Sequence, residues 1–182
     1  MSFIVRKAVL TDAKAITHLE RAHVDDELTT PNGILHAHSL TISEVKQLIN
    51  LHWLVVAEQQ GDIIGYVVAA KWAFVSSQPL YRNIIQRIKF AEFEGRPLST
   101  TNTCQYGPIW INQSYRGNGI FEAMVSELKR LIKDRYPFMV TYIAADNARS
   151  LAAHQNKAAM HVLEGFSFEQ RDYQLLVTET QK

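Results

Sequence analysis

Two pairs of β-rich runs, one near the middle of the chain and one at its end, place the tightest limits on the fold. Residues 53–58 and 62–71 are rich in valine and isoleucine and are separated by Gln59-Gln60-Gly61, which predicts a β-hairpin. Residues 161–168 and 173–178 flank a second short break and predict another hairpin. Because hairpins pair their strands antiparallel, a purely parallel, doubly wound sheet is excluded.

Helix signals are distributed between these hairpins. Thr11 or Asp12 is placed to cap a first helix, and Thr41-Ile42-Ser43-Glu44 matches a capping box. Pro79 suits the first turn of a middle helix, and Asn147 is expected to cap a late helix that runs to about residue 159. A long amphipathic helix is predicted directly after a glycine-rich turn at residues 116–119.

Three further strands complete the predicted sheet. They are residues 4–8, 103–111 and 138–144. Gly107-Pro108 interrupts the second of these, which indicates a β-bulge or a place where pairing stops. The resulting order, β-α-α-β-β-(α)-β-α-β-α-β-β, predicts one mixed sheet with helices on both faces, in the α/β (α+β) class.

Length and composition indicate a single domain, residues 1–182, with a core that needs no covalent staple. The net charge of +1 favours neither nucleic acid nor an anionic membrane as partner. Cys104 is the only cysteine, which excludes an intrachain disulfide and a four-cysteine metal site. No signal-like stretch opens the chain, and its longest apolar run, residues 63–70, is too short to span a bilayer, so a cytoplasmic protein is expected.

A strand, then Arg116-Gly117-Asn118-Gly119, then a helix is an arrangement that binds phosphate. The first helical turn leaves N–H groups unpaired and the helix dipole favours an anion there, while Arg116 adds a forked cation. The P-loop needs Lys-Ser/Thr where Ile120-Phe121 stands, and the Rossmann fingerprint needs three glycines in a parallel unit. A plain strand-to-helix turn is the alternative interpretation.

Residues 109–121 closely resemble the pyrophosphate loop of the GNAT superfamily of acyl-CoA-dependent N-acetyltransferases, matching at Arg116 and Gly119. Phe121 stands where that family has glycine or alanine, and we expect its ring to turn into the core. Residues 5–13, residues 147–154 and the closing hairpin resemble further family segments in the right order. The resemblance implies a mixed, mostly antiparallel splayed sheet flanked by helices, with acetyl-CoA as co-substrate and no metal.

The resemblance also implies which residues form the site. The family's sulfur-protonating tyrosine aligns with His154, and an N–H near Ile111 polarises the thioester carbonyl. Tyr106, Glu92 and Glu94 are candidates, by placement, for the base that takes the amine's proton. The cofactor-binding residues expected from the resemblance are Trp110, Ile111, Arg116, Gly117, Asn118, Gly119, Ile120, Phe121, Asn147 and Ser150. Ala159-Met160 replaces the family's Gly-Phe pair, and alignments from either side of residues 156–159 disagree by one residue.

The function implied is direct transfer of an acetyl group from acetyl-CoA to a primary amine of a small molecule or peptide. An acyl-CoA-binding regulatory module with weak or no catalysis is the alternative, because Phe121 and His154 depart from the family pattern. A nucleic-acid-binding module, based on the cluster Arg82, Arg87, Lys89 and Arg96, is a distant third.

Residues 25–38 and 78–102 are expected to select the acceptor. Trp72 and Trp110 could line its pocket, although core packing is the more frequent use of such residues. No nucleic-acid or membrane partner is expected, and a homodimer is implied by analogy alone.

Overall fold

A computed structural model describes residues 2–23 and 39–181. Its main sheet has seven strands in the order β1-β2-β3-β6-β7-β9-β8, and a separate two-stranded hairpin is formed by β4 and β5. The strands are β1 Ile4–Lys7, β2 Trp53–Gln59, β3 Asp62–Ala70, β4 Glu92–Phe93, β5 Arg96–Pro97, β6 Thr103–Ile111, β7 Phe138–Ala144, β8 His161–Phe168 and β9 Arg171–Glu179. Neighbouring strands of the main sheet are antiparallel except β6 and β7, which confirms the predicted mixed, mostly antiparallel sheet.

Helices cover both faces of this sheet. They are α1 Ala13–His23, α2 Ile42–Leu51, α3 Trp72–Val75, α4 Pro79–Ile88, α5 Ile120–Ile132 and α6 Ala148–Lys157. The apolar side chains of α5 share a core with one face of β2, β3 and β6, and α6 packs at its edge. On the opposite face, α1 and α2 cover β2 and β3, whereas α3 and α4 cover β7 and β9.

Side-chain hydrogen bonds at the N-terminal ends of α2 and α1 determine where these two helices begin. The Thr41 hydroxyl accepts from the Glu44 N–H at 3.2 Å, and the Glu44 carboxylate accepts from the Thr41 N–H at 3.0 Å, so the predicted capping box is confirmed. At α1 the structure differs, because a 3₁₀ turn, Leu10–Asp12, precedes the helix. The Asp12 carboxylate accepts from the Val9 N–H and from both terminal nitrogens of Arg6, whose guanidinium holds the pKa of that carboxyl below its usual range.

The predicted bulge in β6 is confirmed. Val67 lies opposite Ile109, and Ala69 lies opposite Tyr106, so three steps along β6 match two along β3. The Gly107–Pro108 peptide bond at this point is cis. Because one residue is extra, Tyr106, Ile109 and Ile111 all pack into the core beneath α5, instead of alternating between the faces.

The sheet opens between β6 and β7. Their parallel register pairs Thr103 with Phe138, Cys104 with Met139 and Gln105 with Val140, and then ends. β7 remains paired with β9 as far as Ala144, and β6 remains paired with β3 as far as Ile111, so the two halves of the sheet separate beyond Gln105. The result is a wedge-shaped gap whose closed end lies at Gln105.

Three short features differ from the sequence interpretation. Neither α3 nor the β4–β5 hairpin was predicted. α6 ends at Lys157, and Ala159 adopts a left-handed φ of 52° where the family's glycine would stand. That geometry accounts for the one-residue disagreement in alignment. Residues 25–38, which were expected to help select the acceptor, lie outside the described residues.

Within residues 2–23 and 39–181, no helix combines the length and the apolar character needed to cross a bilayer.

Candidate active site

The glycine-rich loop joins β6 to α5 through two left-handed glycines. Asn112 caps a 3₁₀ turn, Gln113–Tyr115, by accepting from the Ser114 N–H at 3.0 Å. Gly117 and Gly119 then have φ values of 82° and 81°, which side-chain-bearing residues rarely adopt. Gly119 is the N-cap of α5, and its carbonyl accepts the helix's first hydrogen bond from the Ala123 N–H at 3.1 Å. The N–H groups of the first turn therefore point out of the helix end.

Side chains of the loop stabilise this path. The Arg116 Nε donates to the Ile111 carbonyl at 3.0 Å, which ties the guanidinium to the end of β6. The Asn118 Nδ2 donates to the Tyr115 carbonyl at 2.9 Å and to that of Arg116 at 3.3 Å. Asn118 therefore holds the loop through its side chain, while the backbone of Gly117 and Gly119 is exposed.

A cavity of about 150 Å³ lies against the loop and the start of α5. Its third wall is α6, which contributes Arg149, Ala153 and Lys157. These residues lie four apart, so they share one face of the helix. Arg149 and Lys157 are exposed cations that sequence reasoning did not assign to the site. Their spacing along the helix that Asn147 caps could have indicated that they share a face. With Arg116 they surround the helix end with three positive charges, and Glu122 supplies one negative charge.

The backbone of β6 beside this cavity is turned toward the gap. The Asn112 N–H donates to the Ile64 carbonyl at 2.8 Å, and Gly65 lies opposite Ile111. Because paired residues in an antiparallel ladder alternate between bonded and non-bonded, Ile111 directs its N–H and C=O away from β3. That side is the gap left by β7. The Ile111 carbonyl there is the one that Arg116 contacts.

A buried hydrogen-bonded chain lies behind the gap. The Tyr106 hydroxyl is 3.1 Å from the His154 Nε2, and the His154 Nδ1 is 2.8 Å from the Ser150 carbonyl. A carbonyl can only accept, so Nδ1 carries the proton and Nε2 accepts from Tyr106. Asn147 caps α6 by accepting from the Ser150 N–H at 3.2 Å, as predicted. The structure thus brings together Tyr106, His154, Ser150 and Asn147, which are far apart in sequence.

Burial makes this chain electrically neutral. His154 and Tyr106 are each 0% exposed. Desolvation lowers the pKa of His154 from 6.5 to about 4, against a smaller opposing effect of the Ser150 carbonyl. Burial raises the pKa of the Tyr106 phenol well above its usual range and does the same for the Cys104 thiol. Cys104 is therefore a protonated core residue rather than a nucleophile.

The two departures from the family pattern contact each other. Phe121 is 5% exposed, and its ring lies edge-on to His154 with centroids 5.1 Å apart. The expectation that Phe121 turns into the core is confirmed, and one side of its ring also lines the cavity. The larger residue at 121 thus accompanies a smaller ring at 154 where the family has tyrosine, which keeps the packing between α5 and α6 filled.

The other predicted residues are placed differently. The Trp110 side chain is 2% exposed and stacks on His23 at 4.7 Å on the α1 face, and its backbone faces Tyr66 of β3 rather than the gap. Ile120 is buried on the sheet-facing side of α5 and also lines the cavity. Glu92 and Glu94 are exposed on the β4–β5 hairpin, which packs through Phe93 on Phe138, the first residue of β7. That contact lies at the closed end of the wedge, away from the cavity.

Stability should depend on pH through His154. Its folded pKa of about 4 lies below the unfolded value of 6.5, so the unfolded state binds more protons between those values. The free energy of unfolding should therefore fall by up to about 3 kcal/mol as the pH drops through this window, and recover above it. Urea unfolding of the parent and of His154→Gln at both ends of the window measures the difference. His18→Gln, on the exposed face of α1, is the control and should keep the parent's dependence. The same pH dependence of the free energy of unfolding in all three proteins would contradict its assignment to His154.

Comparison with known proteins agrees with this geometry. A family model, Acetyltransferase (GNAT) family, matches residues 23–160. No curated protein sequence matches the chain. In the residues described by the structure, no group of three or more histidine, cysteine, aspartate or glutamate side chains could hold a metal ion.

Solved structures share the fold at low identity. The yncA protein of Salmonella typhimurium, solved with acetyl-CoA, has a TM-score of 0.68 and 16% identity, covering 99% of this chain and 95% of its own. A ribosomal-protein-alanine N-acetyltransferase of Brucella melitensis has a TM-score of 0.65 and 17% identity, and the match covers 97% of this chain and 99% of its own. A phosphinothricin acetyltransferase of Sinorhizobium meliloti in complex with AcCoA has a TM-score of 0.65 and 19% identity, and the match covers 98% of this chain and 89% of its own. At these identities the likeness establishes a common fold.

Proposed function

We propose, because this chain belongs to the GNAT acetyltransferase family, that it moves an acetyl group from acetyl-CoA directly to a primary amine of a small molecule or peptide. The observation that carries the proposal is the cavity at the N-terminus of α5, where helix N–H groups and three cationic side chains meet the open edge of β6. A diphosphate ester fits that set of donors. An extended amide-containing arm fits a strand edge whose backbone N–H and C=O groups point away from the neighbouring strand.

Each part of acetyl-CoA has residues suited to it. The N–H groups at Gly117, Gly119 and the first turn of α5 would hold the pyrophosphate, with Arg116, Arg149 and Lys157 balancing its charge. The backbone of Ile111 would pair with the pantetheine arm. Asn147 and Ser150 already bond within α6, and Ser150 also contacts the His154 ring, so we assign both to shaping the site. Acetyl-CoA supplies the activated acetyl group, and the residues of this chain position it.

Two groups are suited to the chemistry of transfer. The Ile111 N–H faces the gap and is the donor that we assign to the thioester carbonyl. Tyr106 follows Gln105, the residue at which the wedge closes. Its hydroxyl carries the mobile proton of the Tyr106–His154 pair, since the His154 N–H is committed to the Ser150 carbonyl. We therefore assign Tyr106 as donor to the departing thiolate and His154 as the residue that positions it.

Direct transfer requires no nucleophile from the protein, which agrees with the buried, protonated Cys104. The alternative, an acyl-CoA-binding regulatory module, shares the cavity but predicts no turnover with any amine. The basic cluster proposed for nucleic acid is partly neutralised, because Arg87 lies 3.4 Å from Glu164 and Arg96 lies 3.6 Å from Glu179. The acetyltransferase assignment is therefore the one that the described contacts favour.

The test combines binding and turnover. Calorimetry should show acetyl-CoA binding by the parent, and Arg149→Ala and Lys157→Ala should each weaken it about threefold, as expected for exposed ion pairs. The weakening should diminish as salt is added, because screening already reduces these contacts in the parent. Lys46→Ala, which removes an exposed cation from α2 on the opposite face, is the control and should bind like the parent.

Turnover with a panel of primary amines, followed by thiol release, then separates enzyme from regulator. Absence of acetyl-CoA binding by the folded parent would remove the whole proposal. Binding without thiol release above the hydrolytic background would instead support the regulatory module.

A further inference from the structure

Glu20, in the last turn of α1, is a buried carboxyl group that the transfer chemistry does not use. It is 1% exposed, and the Tyr66 hydroxyl donates to its carboxylate. Among residues 2–23 and 39–181, that hydroxyl is its hydrogen-bond partner, and no described cation pairs with it. A buried carboxylate without a cation costs several kcal/mol, so packing alone would be better served there by an apolar residue.

The surroundings of Glu20 are aromatic and lie on one face of the sheet. Tyr66 is directly opposite Trp110 in the β3–β6 ladder, with ring centroids 5.8 Å apart. His23, three residues after Glu20 on the same face of α1, stacks on the Trp110 ring at 4.7 Å. Electron-rich ring faces and a carboxylate form an environment that favours an organic cation.

The carboxylate is on the side from which an acceptor can approach. α5 and α6 occupy the other face of the sheet around the gap, together with the phosphate cavity. An amine must therefore reach the gap from the face that α1 covers. Trp110 is adjacent to Ile111 in β6, so this aromatic cluster lies on the same face of the sheet from which the amine would approach.

Distance determines which part of the acceptor Glu20 can serve. Tyr66 stands on β3, and the gap lies beyond β6, so two strand spacings, roughly 10 Å, separate the carboxylate from the gap. Proton transfer from the reacting amine requires hydrogen-bond contact, at about 3 Å. Glu20 is therefore too far to act as the base, and its charge suits a second nitrogen that does not react.

We propose that Glu20 binds the non-reacting ammonium group of a di- or polyamine acceptor, beside the Tyr66 and Trp110 rings that pack around it. The inference rests on the proposed function, since it names the acceptor class for the same site. The reacting nitrogen would lie at the gap as a neutral amine, and the distant nitrogen would remain protonated and neutralise the buried carboxylate.

Three acceptors of equal chain length test this by charge alone: 1,8-diaminooctane, octylamine and 8-aminooctanoate. The parent should prefer the diamine over the monoamine in kcat/KM by at least about tenfold, and use the aminocarboxylate least. In Glu20→Gln the diamine-to-monoamine ratio should fall to about twofold, the factor set by its two equivalent ends, with acetyl-CoA affinity unchanged. This ratio is a readout that a merely structural role would leave alone.

A parent without charge preference would overturn the inference, and so would a Glu20→Gln variant that slows both acceptors equally. If Glu20→Gln fails to fold, Glu20→Asp provides the test, because its withdrawn carboxylate should shift the preferred diamine to a longer chain; an unshifted optimum would overturn the inference. If the parent fails to bind acetyl-CoA or to acetylate any amine, the proposed function itself fails, and this inference falls with it. Acetyl-CoA titration of the same preparation distinguishes that failure from a lack of charge preference.

Discussion

Replacement of Gly119 by glutamate is expected to weaken acetyl-CoA binding by about 100-fold or more, because the new carboxylate would stand where the pyrophosphate is to bind and like charges in contact cost several kcal/mol. No atom lies within 4 Å of a Cβ built at Gly119, so the side chain has room in the folded protein. The left-handed φ of 81° adds a stability cost of about 1–2 kcal/mol. Calorimetric titration with acetyl-CoA measures the loss.

Gly61→Glu is a matched control for this substitution. Gly61 also has a left-handed φ, 86°, with no atom within 4 Å of a built Cβ, but it lies in the turn between β2 and β3. It should therefore have the same backbone cost and the same added charge, yet bind acetyl-CoA like the parent. Equal binding loss in both variants would show that strain or net charge is responsible, and the phosphate site would be withdrawn.

Removal of the Tyr106 hydroxyl is expected to have the second large effect. Tyr106→Phe should lower kcat by about 100-fold with little change in acetyl-CoA affinity, since general acid catalysis typically contributes at least this factor. The ring remains in its buried position, so packing beneath α5 is preserved. Steady-state kinetics with a good acceptor and calorimetry with acetyl-CoA separate the two quantities.

Variants at two other positions make the Tyr106 result interpretable. Tyr136→Phe removes a hydroxyl from a half-buried ring that packs on Trp53, away from the cavity, and should leave kcat unchanged. His154→Gln offers an amide oxygen to the Tyr106 proton and should retain more activity than His154→Leu, if His154 acts by positioning Tyr106. Parent-like kcat in Tyr106→Phe, combined with inactive His154 variants, would instead identify His154 as the proton donor.

Elements with local signals were predictable from sequence. The capping box at Thr41 and Glu44 lies within four residues, and the glycine that starts α5 precedes a clear amphipathic helix. Both hairpins follow from alternation and short breaks, which depend on near neighbours alone. These elements are present with ends shifted by one or two residues, as expected where tertiary packing decides the last turn.

Features that depend on distant contacts were not predictable in the same way. α3 has four residues, too few for a helical period, and the Trp72 Nε1 is held by the Thr103 hydroxyl at 2.9 Å. The partnership of Tyr106 and His154 joins residues 48 apart, and only the fold shows that His154 is buried rather than on the surface. Likewise, Arg149 could be read as a helix residue, but its place beside Arg116 follows from how α6 packs.

The extra residue in β6 has a consequence for how this strand can vary among relatives. Tyr106 and Trp110 are four apart and would share a face in a regular strand, yet Tyr106 packs beneath α5 and Trp110 packs on the opposite face, against α1. The bulge thus lets one strand supply large side chains to the cores on both faces of the sheet. Substitution within it changes one contact, whereas insertion or deletion of a single residue would turn every side chain on one side of the change to the opposite face. We therefore expect the number of residues between Tyr106 and Ile111 to be more strictly maintained than their identity.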